Sequence, residues 1–185
     1  MIEAITGKYI GRNEGNLLVK TGDFVLRIVS DLDSFSDCKE NDEITVYTKL
    51  IVTQDDISIY GFDSKSKRTI FEKLIKVSKL GPKTAVKILS STTGEFLSNA
   101  IATGDVEKLA SIPGIGKKTA ERIVTELKDE FEPSEVDDVS VEAIEALISL
   151  GYSRTLARNA VKRVGKEKDV AKVIKEALRI LSSGT

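Results

Sequence analysis

The feature of this 185-residue sequence that most constrains its fold is an internal repeat. Residues 77–89, VSKLGPKTAVKIL, align with residues 112–124, IPGIGKKTAERIV, when the chain is shifted by 35 positions. The matched residues are Gly81 with Gly116, Lys83 with Lys118, Thr84 with Thr119, Ala85 with Ala120 and Lys87 with Arg122. A repeat of this length indicates one supersecondary unit used twice. Each copy predicts a helix, a glycine-bearing turn and a second helix that opens with Thr-Ala.

The second copy, SIPGIGKKTAERI, has the residue types of a phosphate-binding loop. A nucleotide-binding Walker A loop requires G-x-x-x-x-G-K-[ST] after a strand. The residue five positions before Gly116 is Ser111 rather than glycine. Lys118 follows Lys117 where serine or threonine is required, and a helical segment precedes the turn. The sequence therefore argues against an ATPase site.

A nucleic-acid backbone fits the same residues better. A helix N-terminus presents unpaired N–H groups and a partial positive charge, and glycine lets a phosphate approach them closely. The first copy adds the cation Lys83, and the second copy adds Lys117, Lys118 and Arg122. Such contacts hold a backbone without reading base sequence. Both copies resemble the helix-hairpin-helix motif, h-G-h-G-x-x-T-A; the alternative is a plain helical hairpin with a glycine C-cap.

The charge distribution agrees with a nucleic-acid partner. The formal net charge of −1 is divided into −6 over residues 1–64, +6 over 65–129 and −1 over 130–185. Such asymmetry indicates that the middle segment meets a polyanion. Solvated helix faces are the alternative explanation of the charge alone.

The first 62 residues predict β structure. The runs NLLVKTGDFVLRIVS and DEITVYTKLIV are rich in β-branched residues and lie between turn signals at NEGN, TGD and END. We expect about five strands with a helical turn near residues 31–36. Five short strands favour an OB-fold barrel, although another small barrel fits the pattern nearly as well.

From Ser64 onward the periodicity is helical. The predicted helices cover 65–78, 83–91, 93–101, 105–110 and 117–130, and then 141–149, 153–164 and 168–182. Between the two groups, FEPSEVDDVS is acidic, contains a proline and predicts a mobile linker. The predicted domains are a barrel at 1–63, a tandem hairpin domain at 64–131, a linker at 132–140 and a three-helix domain at 141–185.

Composition excludes several classes of function. The chain has no histidine and a single cysteine, Cys38, so the commonest general base, an internal disulfide and a cysteine-based zinc site are ruled out. We expect no metal and no cofactor. No apolar run approaches the roughly 20 residues that span a bilayer, and MIEAITGKYIG lacks the features of a secretory signal. We therefore expect a cytoplasmic protein with no membrane contact.

The order of these parts resembles the RuvA family, bacterial proteins that bind Holliday junctions. The resemblance covers essentially the whole chain and is carried by MIEAITGKYI, DISIYGFDSKSKRTIFEKLIKV, LGPKTAVKIL, the second repeat at 109–122, EALISLGYS and VIKEALRIL. It implies an α+β multidomain protein with an N-terminal OB-fold β-barrel, a tandem helix-hairpin-helix domain and a C-terminal three-helix, UBA-like domain.

The resemblance also implies a non-catalytic, sequence-independent binder of four-way junction DNA. Members of the family form a four-fold homotetramer, a second tetramer can close over the DNA, and the hexameric ATPase RuvB is recruited for branch migration; the RuvC resolvase is a further expected partner. The implied phosphate-binding residues are Lys79, Gly81, Lys83, Gly114, Gly116, Lys117, Lys118 and Arg122. Lys79 departs from the pattern, because it stands where the first hairpin usually has glycine. A left-handed conformation there costs about 1 kcal/mol for lysine.

Two further sites follow from the resemblance. Asp55 and Asp56 correspond to an acidic pin that repels phosphates at the junction centre; an ordinary polar β-turn is the alternative. Leu150, Tyr152 and Leu178 are candidates for the RuvB contact, or for the core of so small a domain.

Two other functions compete with junction binding. A helix-hairpin-helix DNA glycosylase places a catalytic Asp beyond a single hairpin and flips a base into an apolar pocket; Asp129 is the nearest candidate. Aromatic residues make up only 5% of the chain and tryptophan is absent, which disfavours such a pocket. The third possibility is a generic DNA-binding adaptor.

Overall fold

The computed structural model describes residues 2–131, 138–165, 167 and 169–182. Its N-terminal part is a closed five-stranded barrel with the strand order β1-β2-β3-β5-β4. The strands are β1 (Ala4–Asn13), β2 (Asn16–Thr21), β3 (Phe24–Ser30), β4 (Glu43–Val52) and β5 (Ile57–Phe62). Only the β3–β5 pair is parallel among the described pairs, and β1 closes the barrel against β4. The predicted OB-fold is therefore confirmed, with its helical turn at Leu32–Phe35.

Alternating apolar residues explain the barrel. The side chains of Leu17, Val19, Ile28 and Val46 are fully buried inside it, while their neighbours along each strand are more exposed. Gly61 lies where β5 passes between β3 and β4. A Cβ atom there would come within 2.4 Å of Ile28 Cγ2 and 2.5 Å of Val46 Cγ1, so closure of the barrel requires glycine.

Eight α-helices follow in the described residues, with a 3-10 turn at Lys128–Glu130. They are α1 (Lys65–Leu74), α2 (Pro82–Ser91), α3 (Gly94–Thr103), α4 (Val106–Ala110), α5 (Lys117–Leu127), α6 (Asp138–Ser149), α7 (Arg154–Val164) and α8 (Val170–Ser182). The first hairpin is α1, a turn and α2; the second hairpin is α4, a turn and α5. Residues 132–137 of the predicted linker lie outside the described residues. Residues 138–140 belong to α6, so this helix begins three residues before the predicted position.

The barrel and the first hairpin share one hydrophobic core. Phe71 of α1 packs against Tyr60 and Phe62 of β5, with ring centroids 5.2 and 4.8 Å apart. The same core extends through Ile88 to Ile123 and Leu127 of the second hairpin. The barrel, the first hairpin and the second hairpin are therefore packed in series.

A buried ion pair also ties the first hairpin to the barrel. Lys67 Nζ of α1 lies 2.7 Å from Asp31 Oδ2, and the two side chains are only 6% and 1% exposed. Ser34 Oγ donates a hydrogen bond to the same oxygen at 2.7 Å. Burial alone would raise the pKa of Asp31, but the charge of Lys67, hydrogen bonds from Lys67 and Ser34, and the charge of Arg154 together lower that pKa.

The last three helices form a separate small core around Leu147, Ala157, Val161 and Val173. This three-helix unit also contacts the rest of the molecule. The Thr93 N–H donates to Glu145 Oε1 at 2.6 Å, Arg158 pairs with Glu95 at 2.5 Å, and Arg154 lies 3.7 Å from Asp31. In the described part of the chain, none of the helices has both the length and the apolar character needed to cross a bilayer.

Candidate nucleic-acid interface

The sequence repeat is also a structural repeat. In the first turn (77–81) the Leu80 N–H donates to the Val77 carbonyl at 3.1 Å. In the second turn (112–116) the Ile115 N–H donates to the Ile112 carbonyl at 3.0 Å. All four of these apolar residues are buried. The two turns therefore have the same internal hydrogen bond and point the same pair of side chains into the core.

In each turn, the residue just before Leu80 or Ile115 has a left-handed backbone conformation. Gly114 has φ of 96° in the second turn, and Lys79 has φ of 64° in the first. Glycine takes this conformation readily, whereas an L-residue is strained in it. The departure seen at Lys79 in the sequence therefore leaves the shape of the first turn unchanged and adds backbone strain.

A glycine also precedes the helix that follows each turn. Gly81 and Gly116 are the N-cap residues of α2 and α5, with ordinary φ values of −80° and −86°. No side chain caps either helix. A Cβ atom built on either glycine would meet nothing within 4 Å. The helix N-termini are thus open on their outer side, and nothing within the described chain requires glycine at these two positions.

Four predicted lysines surround these N-termini. Lys79, Lys83, Lys117 and Lys118 are all exposed, and their side chains form no ion pair or hydrogen bond with the part of the chain that the structure describes. Each turn therefore combines an open helix N-terminus with exposed positive charge, which is an arrangement that attracts phosphate.

Arg122 is placed differently from the lysines. Its side chain is half-buried, and its Nη1 donates to the carbonyl of Ser78 in the first turn at 3.1 Å. The Ser78 N–H donates in turn to Glu126 Oε2 at 3.1 Å. Sequence reasoning missed Ser78 and Glu126, because neither position has a repeat partner with the same chemistry: Pro113 corresponds to Ser78, and Ser91 corresponds to Glu126.

The turn with the predicted acidic pin connects β4 and β5. Asp55 and Asp56 are exposed at its tip, and the Thr53 N–H closes it by donating to the Asp56 carbonyl at 2.9 Å. The apolar residues that flank it, Val52 and Ile57, are paired and are 64% and 68% exposed. The paired strands thus push both carboxylates to the turn, as predicted.

The acidic turn and the first hairpin line one cleft of about 330 Å³. Asp56 and Tyr60 lie on its barrel side, and Gly81, Pro82 and Lys83 lie on its hairpin side. Burial is the main cause that raises the pKa of Tyr60, and the charge of Asp56 raises it further. Negative charge and a phosphate-attracting turn are therefore neighbours on one surface.

The three apolar candidates for a partner contact differ in exposure. Leu150 is 61% exposed, whereas Tyr152 and Leu178 are half-buried and pack against the core of the three-helix unit. Leu156 is 51% exposed and was missed by sequence reasoning. Its signal was present, because it lies outside the buried stripe of α7 formed by Ala157, Ala160 and Val161.

Comparisons with known proteins cover all three parts of the chain. Residues 1–61 match a family model described as RuvA N terminal domain, residues 71–129 a SAM-like helix-hairpin-helix tandem, and residues 138–182 RuvA, C-terminal domain. The Holliday junction branch migration complex subunit RuvA of Fervidobacterium nodosum is 67% identical over 186 residues, covering 98% of this chain and 99% of that protein. The chain belongs to the RuvA family.

Other RuvA subunits show the same end-to-end relationship. The protein of Thermotoga maritima is 47% identical and that of Clostridium beijerinckii 38% identical, each covering 98% of this chain and 99% of the relative. Family membership disfavours the glycosylase alternative, whose candidate Asp129 is exposed in the 3-10 turn that follows α5. Among the described residues, no group of three or more histidine, cysteine, aspartate or glutamate side chains is arranged to hold a metal ion.

Proposed function

We propose that this chain binds four-way junction DNA through the phosphate backbone, independently of base sequence, as a non-catalytic subunit of a branch-migration complex. The observation that carries this proposal is the pair of open helix N-termini at Gly81 and Gly116. Both residues have φ values that any amino acid adopts, and a Cβ on either would meet no atom within 4 Å. A ligand outside the chain can therefore approach both helix N-termini without meeting a side chain at the N-cap.

A phosphate is the ligand that suits such an open helix N-terminus. It binds to the unpaired N–H groups at the start of a helix, and a side chain at the N-cap would stand in its way. The same bound phosphate would be reached by the exposed lysines of each turn. The proposed phosphate-binding residues are Lys79, Gly81, Lys83, Gly114, Gly116, Lys117 and Lys118. Arg122, which the sequence also predicted to bind phosphate, instead donates to the Ser78 carbonyl. Since a phosphate has no base identity, these contacts hold DNA without reading its sequence.

Preference for a junction over duplex is assigned to the acidic pin. A carboxylate and a phosphate at close range repel each other by on the order of 1 kcal/mol in water, and by more where water is excluded. In the homotetramer that the family resemblance implies, four turns meet and place Asp55 and Asp56 of every protomer at the centre. Continuous duplex across that centre is penalised, whereas an open junction keeps its phosphates away. A second tetramer closing over the DNA would repeat the arrangement.

The three-helix unit is assigned to the motor partner, the RuvB ATPase, with RuvC as a further partner of the complex. Leu150 and Leu156 support this assignment, since both are exposed apolar residues on a unit whose small core is already filled. The relatives are named as subunits of a branch migration complex, which agrees with a partner that supplies ATP hydrolysis. The proposed units are the barrel at 1–63, the hairpins at 64–131 and the three-helix domain, which the sequence placed at 141–185 and whose first helix begins at Asp138.

The test is binding of the full chain to a four-way junction and to duplex of equal length at several salt concentrations, because affinity without salt dependence is uninterpretable. We expect the junction to bind more tightly. Changing Asp55 and Asp56 together to Asn keeps their size and removes their charge, so duplex binding should strengthen and the junction-to-duplex ratio should fall. Asp23→Asn, in another exposed barrel turn, is the matched control. An unchanged ratio in the double variant means that the acidic turn is only a turn.

A further inference from the structure

The backbone of Ser78 in the first turn is held from both sides by one helix of the other hairpin. Its N–H donates to Glu126 Oε2 at 3.1 Å, and its carbonyl accepts from Arg122 Nη1 at 3.1 Å. Arg122 and Glu126 are four residues apart on α5 and so lie on the same face of that helix. Both hydrogen bonds involve a charged group, which makes them stronger than neutral ones.

Ser78 directly precedes the strained residue of the turn. Its carbonyl belongs to the peptide that links it to Lys79, so fixing that carbonyl restricts φ of Lys79. Lys79 has φ of 64°, a conformation that L-residues disfavour. The contacts from α5 therefore act at the place where the first turn needs support.

Among the residues that the structure describes, none gives the second turn an equivalent support, and this turn needs none. Gly114 stands in the place of Lys79 and accepts a positive φ at no steric cost. Pro113 stands in the place of Ser78 and has no N–H to donate. Lys87, the repeat partner of Arg122, is exposed, and its Cδ lies 3.8 Å from where a Cβ of Gly114 would be. The support is thus confined to the hairpin that lacks the glycine.

We propose that Glu126 and Arg122 are positioning residues for DNA binding, which hold the first turn in its phosphate-binding shape from the second hairpin. This inference rests on the proposed function, since it concerns the same turns. It makes a prediction opposite to simple electrostatics for Glu126. A carboxylate beside a DNA-binding surface repels phosphate, so its removal should strengthen binding if charge alone matters, and should weaken binding if the carboxylate holds the turn.

The experiment compares junction affinity of the full-length wild type with Glu126→Ala, Glu126→Gln and Glu121→Ala at matched salt. We expect Glu126→Ala to weaken binding by about threefold to tenfold without changing the slope of log affinity against log salt, since no phosphate contact is lost. Glu126→Gln keeps an oxygen that accepts the Ser78 N–H, so it should bind at least as tightly as wild type. Glu121→Ala removes the same charge from an exposed position of α5 and should not weaken binding.

Lys79→Gly supplies a second test, because glycine removes the need for support. Glu126→Ala should cost no affinity in the Lys79→Gly background, and neither should Arg122→Ala. If Arg122 instead contacts phosphate, Arg122→Ala should reduce the salt slope by about one unit in both backgrounds. Unchanged or tighter binding by Glu126→Ala in the wild-type background overturns the proposal.

Hydrogen exchange separates this inference from the proposed function. In the absence of DNA, the Ser78 amide should be protected in wild type and in Glu126→Gln, and should exchange faster in Glu126→Ala while the melting temperature changes little. Equal exchange rates in all three proteins would show that Glu126 does not hold the first turn, whatever the protein binds. If the wild type shows no preference for a junction but the expected exchange pattern is seen, the proposed function is overturned and the role of Glu126 in holding the first turn remains.

Discussion

The two hairpins present the same backbone to the outside but are held in place differently. The second turn relies on its own residues, because Gly114 accepts the left-handed conformation and Gly116 opens the following helix. The first turn has Lys79 at the left-handed position and depends on contacts from α5. The second turn therefore reaches this shape through its glycines, and the first turn reaches it through tertiary contacts. Only the first turn depends on the other hairpin.

The hairpins also differ in their attachment. Helix α1 of the first hairpin is fixed to the barrel by the buried Lys67–Asp31 pair and by the packing of Phe71. The second hairpin is joined to the barrel through the shared core. The start of the second helix differs as well, since Pro82 fixes φ and lacks an N–H, whereas Lys117 offers both a donor and a cation. The first hairpin is the better anchored, and the second is the better equipped for phosphate.

The largest expected effect is on stability, through the Lys67–Asp31 ion pair that attaches α1 to the barrel. Lys67→Met should lower the free energy of unfolding by about 3–5 kcal/mol, because it removes the closest countercharge of the buried Asp31 carboxylate and leaves only Arg154, 3.7 Å away. The double variant with Asp31→Asn should recover most of that loss. Urea unfolding of the two variants measures the effect, and Lys76→Met, at an exposed position of the same hairpin, is the control. Equal stability of Lys67→Met and wild type would show that the first hairpin does not need this anchor.

The same pair predicts how stability depends on pH. The pKa of Asp31 is lower in the folded protein than its ordinary value of 3.8, so its contribution is complete above that value. The contribution is lost as the pH falls through the folded-state pKa, because protonation removes the charge that pairs with Lys67. Between pH 6 and about 3, wild type should therefore lose more stability than the Asp31→Asn, Lys67→Met double variant. If the urea midpoints of the two proteins fall by the same amount over that range, the lowered pKa of Asp31 is contradicted.

Exchanging the left-handed residues tests whether the two turns are supported differently. Gly114→Lys should destabilise the protein by about 1–2 kcal/mol even after the loss of freedom in the unfolded chain is counted, since no contact among the described residues holds the second turn as Glu126 holds the first. Lys79→Gly should change stability by less than about 1 kcal/mol, because relief of backbone strain is offset by the greater freedom of glycine in the unfolded chain. Thermal unfolding measures both variants. Equal and opposite changes would mean that the support from α5 contributes nothing.

The sequence predicted what is encoded locally. The repeat placed both turns and identified Lys79 as the unusual residue, and the first 62 residues predicted five strands with a helical turn among them. The Ser78–Glu126 contact was not predictable, because it joins residues 48 positions apart that differ from their repeat partners. Lys67 lies in the charged run KSKR, typical of an exposed helix face, yet it is buried. Helix α6 begins within the acidic stretch read as linker, since acidic residues also favour helix N-termini.

The smallest expected effect compares equivalent cations of the two hairpins. Lys83 and Lys118 occupy the same repeat position, and both are exposed beside an open helix N-terminus. If both bind phosphate, alanine at either site should weaken binding to all DNA sequences alike and reduce the salt slope by about one unit for each lost contact. Lys175→Ala, on the three-helix unit, should leave the slope unchanged. A reduced slope for Lys118→Ala alone would mean that the first turn, despite its matching shape, does not hold phosphate as the second does.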